Sequence, residues 1–567
     1  PSAMLKPALA LALLVTTPVL AQEVAPAELT FDLRAAEHLL NRAGFGARSL
    51  DLDKAVGQGL EATIDGLFLP AERQLPREQP ERLTRKDGAK SDALEVLRVN
   101  GGKDGAPQAM VDAADAAGRK MRREDRKQLE DYTVWWFDTM ASGADPLRDR
   151  MTLFWHGYFT SSMDDVKSSY QMIEQNRFLR AGALGSFRDL LHGAAKDPAM
   201  LEYLDNDENK KQEPNENFAR EVMELFTLGE GNYTEDDIKE AARAFTGWRS
   251  RKGAFDNRAA AHDTGKKTVL GVTGKHDGDD VLEILLDQEA CALHVSGKLL
   301  AYFEGRAPAP ERLASYAADL RANEYDLEPL LRRLFADPEF YSDRVVGQRV
   351  AGPIDYLVGM SMRLDLTPPE AWYLSGSRLL GQRLFHPPTV KGWDGGMAWI
   401  TTASLMQRGN LAGILVGTVD AGEVLSDQDE MFSGEEMMDD MEAMGSMDET
   451  PTPPVKGVKF GALSGLKAMS GRWEPDLDLR AIVRRSGATT AEETVDFLAD
   501  LLLAVEVGPE TRALLLQEFE AARPTQGRDR ATGRARFRER GGFQRAQEDH
   551  LRGFAHLVLS LPEAQLN

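Results

Sequence analysis

Three polar side chains follow one edge of a helix that the segment 214–229 predicts. At about 100° per residue, Asn217, Glu221 and Glu224 form a stripe along the border of its apolar face. Two carboxylates at the border of a core are costly unless a cation, a metal or a shared proton neutralises them. The pattern makes Glu221 and Glu224 candidates for an acid, a base or metal ligands, and a structural salt-bridge network explains it as well.

The same helix carries a surface pair that needs no functional explanation. Glu216 and Arg220 lie four residues apart with the acid first, a favourable exposed arrangement. The next helix begins with a capping box, Thr234 to Asp237, and buries an apolar face. The two helices therefore present the carboxylate stripe from a well-defined helical hairpin.

Histidines and asparagines elsewhere offer further candidates. His156 lies in a helix that is apolar nearly all round, which predicts a buried, hydrogen-bonded imidazole or a catalytic one. Asn206, just before the carboxylate helix, would cap it or point into the same cleft. His262 and Asp263 are a weak metal pair, because adjacent residues of an extended chain point to opposite sides. A divalent metal is thus the candidate cofactor, and the sequence leaves its presence open.

A rigid loop supplies the third group of candidates. The segment Phe385–Ile400 is rich in proline and glycine and carries His386, Lys391, Trp393 and Trp399. Aromatic and charged groups on a stiff loop suit binding of a glycan or a peptide. Indole rings that seal the core explain the tryptophans equally well.

The elements that must position these residues are predicted to be mainly α-helical. Helical spacing of apolar residues recurs along most of the chain, and the Thr/Val alternation within Phe255–Asp277 predicts a loop with a short β-hairpin. Cys291 is the only cysteine, so an internal disulfide is excluded, and its helical surroundings predict a buried, inert thiol.

Composition divides the chain into four parts. We predict a signal peptide at 1–21, a main helical domain at 22–410 with a polar, mobile excursion at about 72–127, an acidic methionine-rich linker at 411–457, and a C-terminal helical region at 458–567 with an arginine-rich loop. The signal peptide predicts a periplasmic or secreted protein.

Charge is concentrated in one stretch. The net charge is −23, and Asp420–Glu449 alone holds twelve acidic residues. The remainder is mildly acidic, which argues against a nucleic-acid partner. After the signal peptide, no stretch is apolar enough to predict an integral membrane span. The chain also lacks a phosphate-binding loop, a serine elbow and the HExxH and ExxH metal motifs.

The order of motifs resembles the bacterial family called domain of unknown function 1800. The matching segments include HLLNRAGFG, MTLFWHGYFTSS, PNENFAREVMELFTLGEGNYTEDDIKEAARAFTGW, HDTGKKTVLG and GQRLFHPPTVKGWDGGMAWI. The resemblance implies an exported protein, with the family pattern falling on Asn215–Asn217, His262 and Asp263. It also implies a sulfatase-like protein as a candidate partner, and it implies no established activity.

Two hypotheses follow from the sequence. The first is an exported helical enzyme that acts on an extracellular polymer, with Glu221 or Glu224 reacting and with His156, Asn217 and the His262–Asp263 pair lining the same cleft. The second is a non-catalytic export, assembly or surface-attachment factor that works with a sulfatase-like partner. A glycan-binding module that uses Trp393 and Trp399 is a third possibility.

Overall fold

Almost every element of the chain is an α-helix, which confirms the predicted fold class. The computed structural model describes residues 29–69, 79–84, 86–89, 96, 106–422, 473–524 and 540–567. The first nine helices are α1 (Leu33–Ala43), α2 (Ser49–Gln58), α3 (Leu60–Phe68), α4 (Gln108–Ser142), α5 (Pro146–Tyr158), α6 (Met163–Val166), α7 (Ser169–Gly182), α8 (Phe187–Ala195) and α9 (Pro198–Tyr203).

The middle of the chain contains the only described strands, which form two antiparallel hairpins. The predicted hairpin is confirmed, and a second hairpin precedes it. The elements are α10 (Glu216–Glu221), a π-helix (Val222–Leu228), α11 (Glu235–Phe245), β1 (Trp248–Ser250), β2 (Phe255–Asn257), β3 (Lys267–Val269), β4 (Val272–Gly274), α12 (Gly278–Leu286), α13 (Glu289–Glu304), α14 (Pro310–Ala322) and α15 (Leu327–Ala336). Strand β1 pairs with β2, and β3 pairs with β4.

The last part of the chain returns to helices only. They are α16 (Pro353–Arg363), α17 (Glu370–Leu379), α18 (Thr402–Val416), α19 (Leu479–Ser486), α20 (Ala491–Leu502), α21 (Pro509–Ala521) and α22 (Arg540–Leu559). Short 3-10 turns occur at Asn206–Glu208, Ala259–Ala261, Pro338–Tyr341, Gly396–Trp399 and Pro562–Gln565.

Local signals in the sequence correctly predict several helix features. The side chains of Thr234 and Asp237 each accept a hydrogen bond from the other's backbone N–H, at 3.2 and 2.9 Å, so the capping box is confirmed. The predicted buried side of α11 is also confirmed. Cys291 is fully buried in α13, and burial raises the pKa of its thiol to about 12. The thiol therefore keeps its proton, which agrees with the buried, inert thiol predicted from the sequence.

The polar excursion is shorter than predicted. Its last part, 108–127, forms the first half of the 35-residue helix α4. Alanine, arginine, lysine and methionine make up most of this stretch and are strong helix formers, so its polarity indicates exposure rather than mobility. Pairs four residues apart add support, with Lys120 at 3.6 Å from Glu124 and Lys127 at 2.6 Å from Asp131.

Two hydrophobic clusters form the core, and helix α5 lies between them. Leu147, Met151 and Trp155 of α5 pack in the cluster of α1, α3 and α7–α15, whereas Leu153 packs in the cluster of α4 and α16–α22. The C-terminal helices share this second cluster with α16–α18. The predicted boundary between 410 and 411 therefore falls inside helix α18, within a common core.

A buried ion cluster joins α5 to the rest of the fold. The fully buried Arg150 donates from Nε to the carbonyl of Gly44 at 2.8 Å and pairs with Asp355 of α16. Asp355 also accepts from Arg349 at 2.7 Å. Burial raises the pKa of Asp355, but the two guanidiniums outweigh it and lower that pKa to about 2.

Three predicted segments lie wholly or mostly outside the described residues: the signal peptide at 1–21, the acidic linker from 423 to 457, and the arginine-rich loop predicted at 523–545, of which 525–539 is not described and the end belongs to helix α22. Among the helices that the structure does describe, none combines the length and apolar character needed to cross a bilayer.

We expect Asp355→Asn to lower the free energy of unfolding by about 3 kcal/mol or more, because it leaves the buried charge of Arg150 without its counter-ion. Asp319→Asn is the control, since Asp319 pairs with Arg333 at the surface with its side chain 51% exposed. It should cost about 1 kcal/mol or less. Equal, small losses in urea denaturation would show that the cluster does not hold the fold.

Candidate functional site

The carboxylate helix α10 has Asn215, not the predicted Asn206, as its N-cap, and it widens into a π-helix at Val222. Side chains from other helices bind carbonyls in its last turn, which have no partner within the helix. His294 of α13 donates from Nε2 to the carbonyl of Leu225, and Tyr158 of α5 donates to that of Phe226, both at 2.9 Å. Such π segments often mark functional sites, and this one is fixed from two sides.

Glu224 lies on this π-helix and has two polar neighbours. The hydroxyl of Tyr233 donates to its Oε2 at 2.7 Å, and Nζ of Lys391 lies 3.9 Å from its Oε1. A phenolic donor and a cation both stabilise a charged carboxylate. Burial and the bond to Glu224 raise the pKa of Tyr233, so the phenol keeps its proton.

The two border carboxylates occupy different surroundings. Glu224 lines a large cleft, whereas Glu221 is half-buried and is not among the residues that line it. Burial and the charge of Glu224 raise the pKa of Glu221, against the opposing effect of Lys391 and Arg220. The predicted pair is therefore divided, and only Glu224 faces the cleft.

The cleft has a volume of about 1070 Å³ and is formed by six separate parts of the chain. Its walls come from helices α5 and α13, the π-helix with the turn after it, the segment 347–355, the loop 382–399 and Leu566. Its charged and polar groups include Glu224, His294, Lys298, Arg349, Lys391 and Asp394. Aromatic rings lie among them, which gives the cleft both stacking surfaces and hydrogen-bonding groups.

The glycine-rich loop places both predicted tryptophans in this cleft. Trp393 and Trp399 are each half-buried and line it. At Gly392 the loop crosses α5 so closely that a Cβ would lie 2.5 Å from the carbonyl oxygen of Gly157, and its φ is +80°. Glycine is therefore required there. The indole of Trp393 also packs 5.6 Å from the His156 ring, so it serves the cleft and the core together.

His156 supports the loop from beneath and does not line the cleft. It is fully buried, and its Nε2 accepts a hydrogen bond from the backbone N–H of Phe385 at 3.0 Å. Burial, with a smaller contribution from His386, lowers the pKa of His156 to about 3. The imidazole is therefore neutral, and its position favours anchoring of the loop over the catalytic role predicted from the sequence.

Four other predicted site residues make structural hydrogen bonds away from the cleft. Asn206 donates to the carbonyl of Trp248 at 2.9 Å, and Asn217 to that of Leu204 at 3.2 Å. His262 contacts the carbonyl of Thr246 at 3.0 Å, while Asp263 accepts from Arg243 at 2.8 Å. The predicted common cleft thus does not form around these side chains.

The described residues contain no group of three or more histidine, cysteine or acidic side chains placed to hold a metal ion. The His262–Asp263 pair gains no third ligand, since Asp263 is committed to Arg243 and to the backbone N–H of Gly265 at 2.8 Å. His386 also lies elsewhere, in a second cavity, with its Nδ1 3.1 Å from Asp164.

Helix α13 contributes cleft residues that the sequence analysis missed. His294, Lys298 and Tyr302 follow one another at intervals of four and share one helix face. The interval of four residues predicts that these polar side chains share one helix face, and it could have identified them as site candidates from the sequence. Because Nε2 of His294 donates to Leu225, Nδ1 carries the lone pair, and burial lowers the pKa of this histidine, so the ring is neutral.

Comparison with known proteins adds the family to this geometry. The model of a family described as "Protein of unknown function (DUF1800)" matches residues 38–566, nearly the whole chain. The chain belongs to the DUF1800 family. No match to it was found among curated proteins or among solved structures. The resemblance stated from the motifs is confirmed, and the cleft of this DUF1800 protein is built entirely from residues inside the matched range.

We expect the stability of this DUF1800 protein to depend on the neutrality of His156. Its folded-state pKa of about 3 is below the unfolded value of 6.5, so its contribution is complete above pH 6.5 and is lost as pH falls toward 3. His156→Gln keeps an acceptor for the N–H of Phe385 and removes this titration. Between pH 7 and pH 4.5 the wild type should lose about 2–3 kcal/mol more unfolding free energy than the variant. Parallel pH profiles of the unfolding free energy for the wild type and for His156→Gln would contradict the neutral state assigned to the buried imidazole.

Gly392→Ala should disturb the loop more than Gly396→Ala. Both glycines have positive φ, but a Cβ at Gly396 meets nothing within 4 Å. We expect about 1 kcal/mol of destabilisation at Gly396 and about 2 kcal/mol or more at Gly392, together with a change in tryptophan fluorescence. Equal effects of the two substitutions would show that the close crossing over Gly157 does not position Trp393.

Proposed function

We propose that this DUF1800 protein is an exported protein that binds a glycan in the tryptophan cleft and acts on it through Glu224. The observation that carries the proposal is the pairing of two indole rings, Trp393 and Trp399, with the charged lining of one open cleft. The apolar faces of sugar rings stack on aromatic side chains, while their hydroxyls bind carboxylates, amides and cations. Export rests on the signal peptide predicted from the sequence.

The size and chemistry of the cleft support a polymer rather than a small metabolite. Its volume of about 1070 Å³ is at the upper end of the range for small-molecule sites. Hydrogen-bond acceptors such as Asp394 and donors such as Lys298 and Gln382 lie around it. Such a mixed lining suits a polysaccharide, which presents many hydroxyl groups, better than a small metabolite with a single charged group.

Glu224 is the carboxylate best placed to react. The hydroxyl of Tyr233 donates to it and the ammonium of Lys391 lies 3.9 Å away, so the carboxyl group is held at the cleft wall, as positioning of a general base requires. In hydrolysis of a glycosidic bond, Glu224 would take a proton from the water that attacks the anomeric carbon. A second acid in the cleft, Asp394 or Glu230, would protonate the departing sugar oxygen.

Loss of either indole should weaken glycan binding. Trp393→Ala and Trp399→Ala are each expected to lower the affinity for soluble polysaccharides about tenfold, equivalent to about 1.4 kcal/mol. Affinity electrophoresis against a panel of cell-wall, capsular and plant glycans measures this. Phe255→Ala is the matched control, because Phe255 is an aromatic side chain that is 37% exposed and does not line the cleft. Failure of the wild type to bind any glycan would contradict the proposed ligand.

Glu224→Gln tests the catalytic part separately. The amide can still accept from Tyr233 but cannot take a proton, so we expect release of reducing ends to fall about 1000-fold while affinity changes little. Glu216→Gln is the control, since Glu216 is on the same helical segment and pairs with Arg220 at the surface. Unchanged function in Glu224→Gln would favour the non-catalytic assembly factor, and co-purification with a sulfatase-like protein would support that role.

A further inference from the structure

A second cavity lies on another part of the molecule and has a different character. It has a volume of about 950 Å³ and is bordered by α4, by α17 and by the segments around Lys167 and Leu384. We call it the arginine groove. Neither Glu224 nor the tryptophans of the cleft line it, so the proposed glycan site does not account for it.

One wall of the groove is a stripe of arginines on α4. Arg119, Arg122, Arg123 and Arg126 follow the i, i+3, i+4, i+7 spacing that places side chains on one helix face. All four are exposed. In the part of the chain that the structure describes, no hydrogen bond or ion pair engages their guanidiniums. Four like charges on one helix face repel each other, so the stripe has a cost to the free protein.

Other parts of the chain add further cations to the groove. Lys167 and Arg383 are exposed there, and neither has an ion-pair partner within the described ranges. Arg378 stands beside them, 3.9 Å from Glu130. Cations from four separate parts of the chain therefore line one cavity, in a protein whose net charge is −23.

The acidic residues at the groove are already engaged. Asp125 is buried and accepts from the hydroxyl and the N–H of Ser169, at 2.6 and 3.0 Å. Asp164 pairs with His386 at 3.1 Å, and Glu130 is the partner of Arg378. These carboxylates do not neutralise the α4 stripe, which leaves a concentrated positive potential in the groove.

Much of the remaining lining of the groove is apolar. Leu83, Met121, Leu129, Met163, Leu374 and Leu384 form this surface. A free inorganic anion would bind the cations but leave the apolar surface exposed to water. A neutral hydrocarbon would cover the apolar surface but leave the cations without a counter-ion. A ligand that satisfies both has an anionic head and an apolar tail.

We propose that the arginine groove binds an anionic lipid, with its phosphate head between the α4 stripe and Arg383 and its hydrocarbon tail on the leucine and methionine side chains. Guanidinium groups suit this head because they bind phosphate oxygens through two parallel hydrogen bonds. Cations and apolar side chains line the same cavity, a combination that fits a lipid better than an acidic protein surface, whose carboxylates would leave the apolar side chains uncovered.

The test uses the full chain and monomeric dodecyl phosphate, measured by isothermal titration calorimetry. We expect saturable binding that the double variant Arg122→Glu/Arg126→Glu weakens about tenfold or more. The charge-matched control is Lys120→Glu/Lys127→Glu. Both lysines lie on the same helix, pair with Glu124 and Asp131, and do not line the groove. The control should bind as the wild type does.

Three further probes separate the alternatives. Inorganic phosphate and dodecyl maltoside should each bind much more weakly than dodecyl phosphate. Phosphate lacks the hydrocarbon tail that covers the apolar side chains, and dodecyl maltoside lacks the charge that pairs with the arginines. Phosphate binding as tight as that of dodecyl phosphate would overturn the lipid assignment in favour of a simple anion site. Binding of polyglutamate that the arginine double variant abolishes, with no binding of dodecyl phosphate, would overturn it in favour of an acidic protein partner.

Discussion

The fold depends on a buried guanidinium that must be matched by partners from distant parts of the chain. Arg150 occupies the centre of α5, where it reaches the carbonyls of Asn41 and Gly44 and the carboxylate of Asp355. A buried charge that lost these partners would cost several kcal/mol, so the end of α1, α5 and the start of α16 are held together. Asp355 also binds Arg349, which lines the cleft, and thus the same cluster sets one cleft wall.

Helix α5 also determines where the functional loop lies. Its His156 accepts from the N–H of Phe385, and its Gly157 carbonyl excludes any side chain at Gly392. Around these two contacts the chain passes from the arginine groove, which Leu384 and His386 line, to the tryptophan cleft, which Val390 and Lys391 line. A single anchored loop therefore borders both cavities, and its packing on α5 together with the glycine at position 392 fixes its shape.

The sequence is informative where the cause of a feature is local. The helices, the capping box at Thr234, the hairpin at β3–β4 and the buried Cys291 all follow from residue patterns a few positions long. These local patterns do not predict the π-helix, and the partners of its last carbonyls, His294 and Tyr158, come from remote helices. For the same reason the sequence could not show that, of the two border carboxylates, Glu224 lines the cleft and Glu221 does not.

In the candidate site, the sequence-based predictions differ from the structure mainly at polar residues. The sequence shows that His262 and Asp263 are unusual, but it does not show that Thr246 and Arg243 are there to bind them. The polarity of 108–127 indicated a loop, although the same residues are strong helix formers. Trp393 was ambiguous between core and binding because in the fold it contributes to both.

Hydrogen–deuterium exchange with and without a bound polysaccharide tests the central claim, that the tryptophan cleft is the ligand site, most directly. The account predicts slower exchange in two separate segments, the π-helix Val222–Leu228 with its following turn and the loop 390–399, which meet only in the folded cleft. Protection confined to the arginine groove, or to surfaces outside both segments, would contradict it.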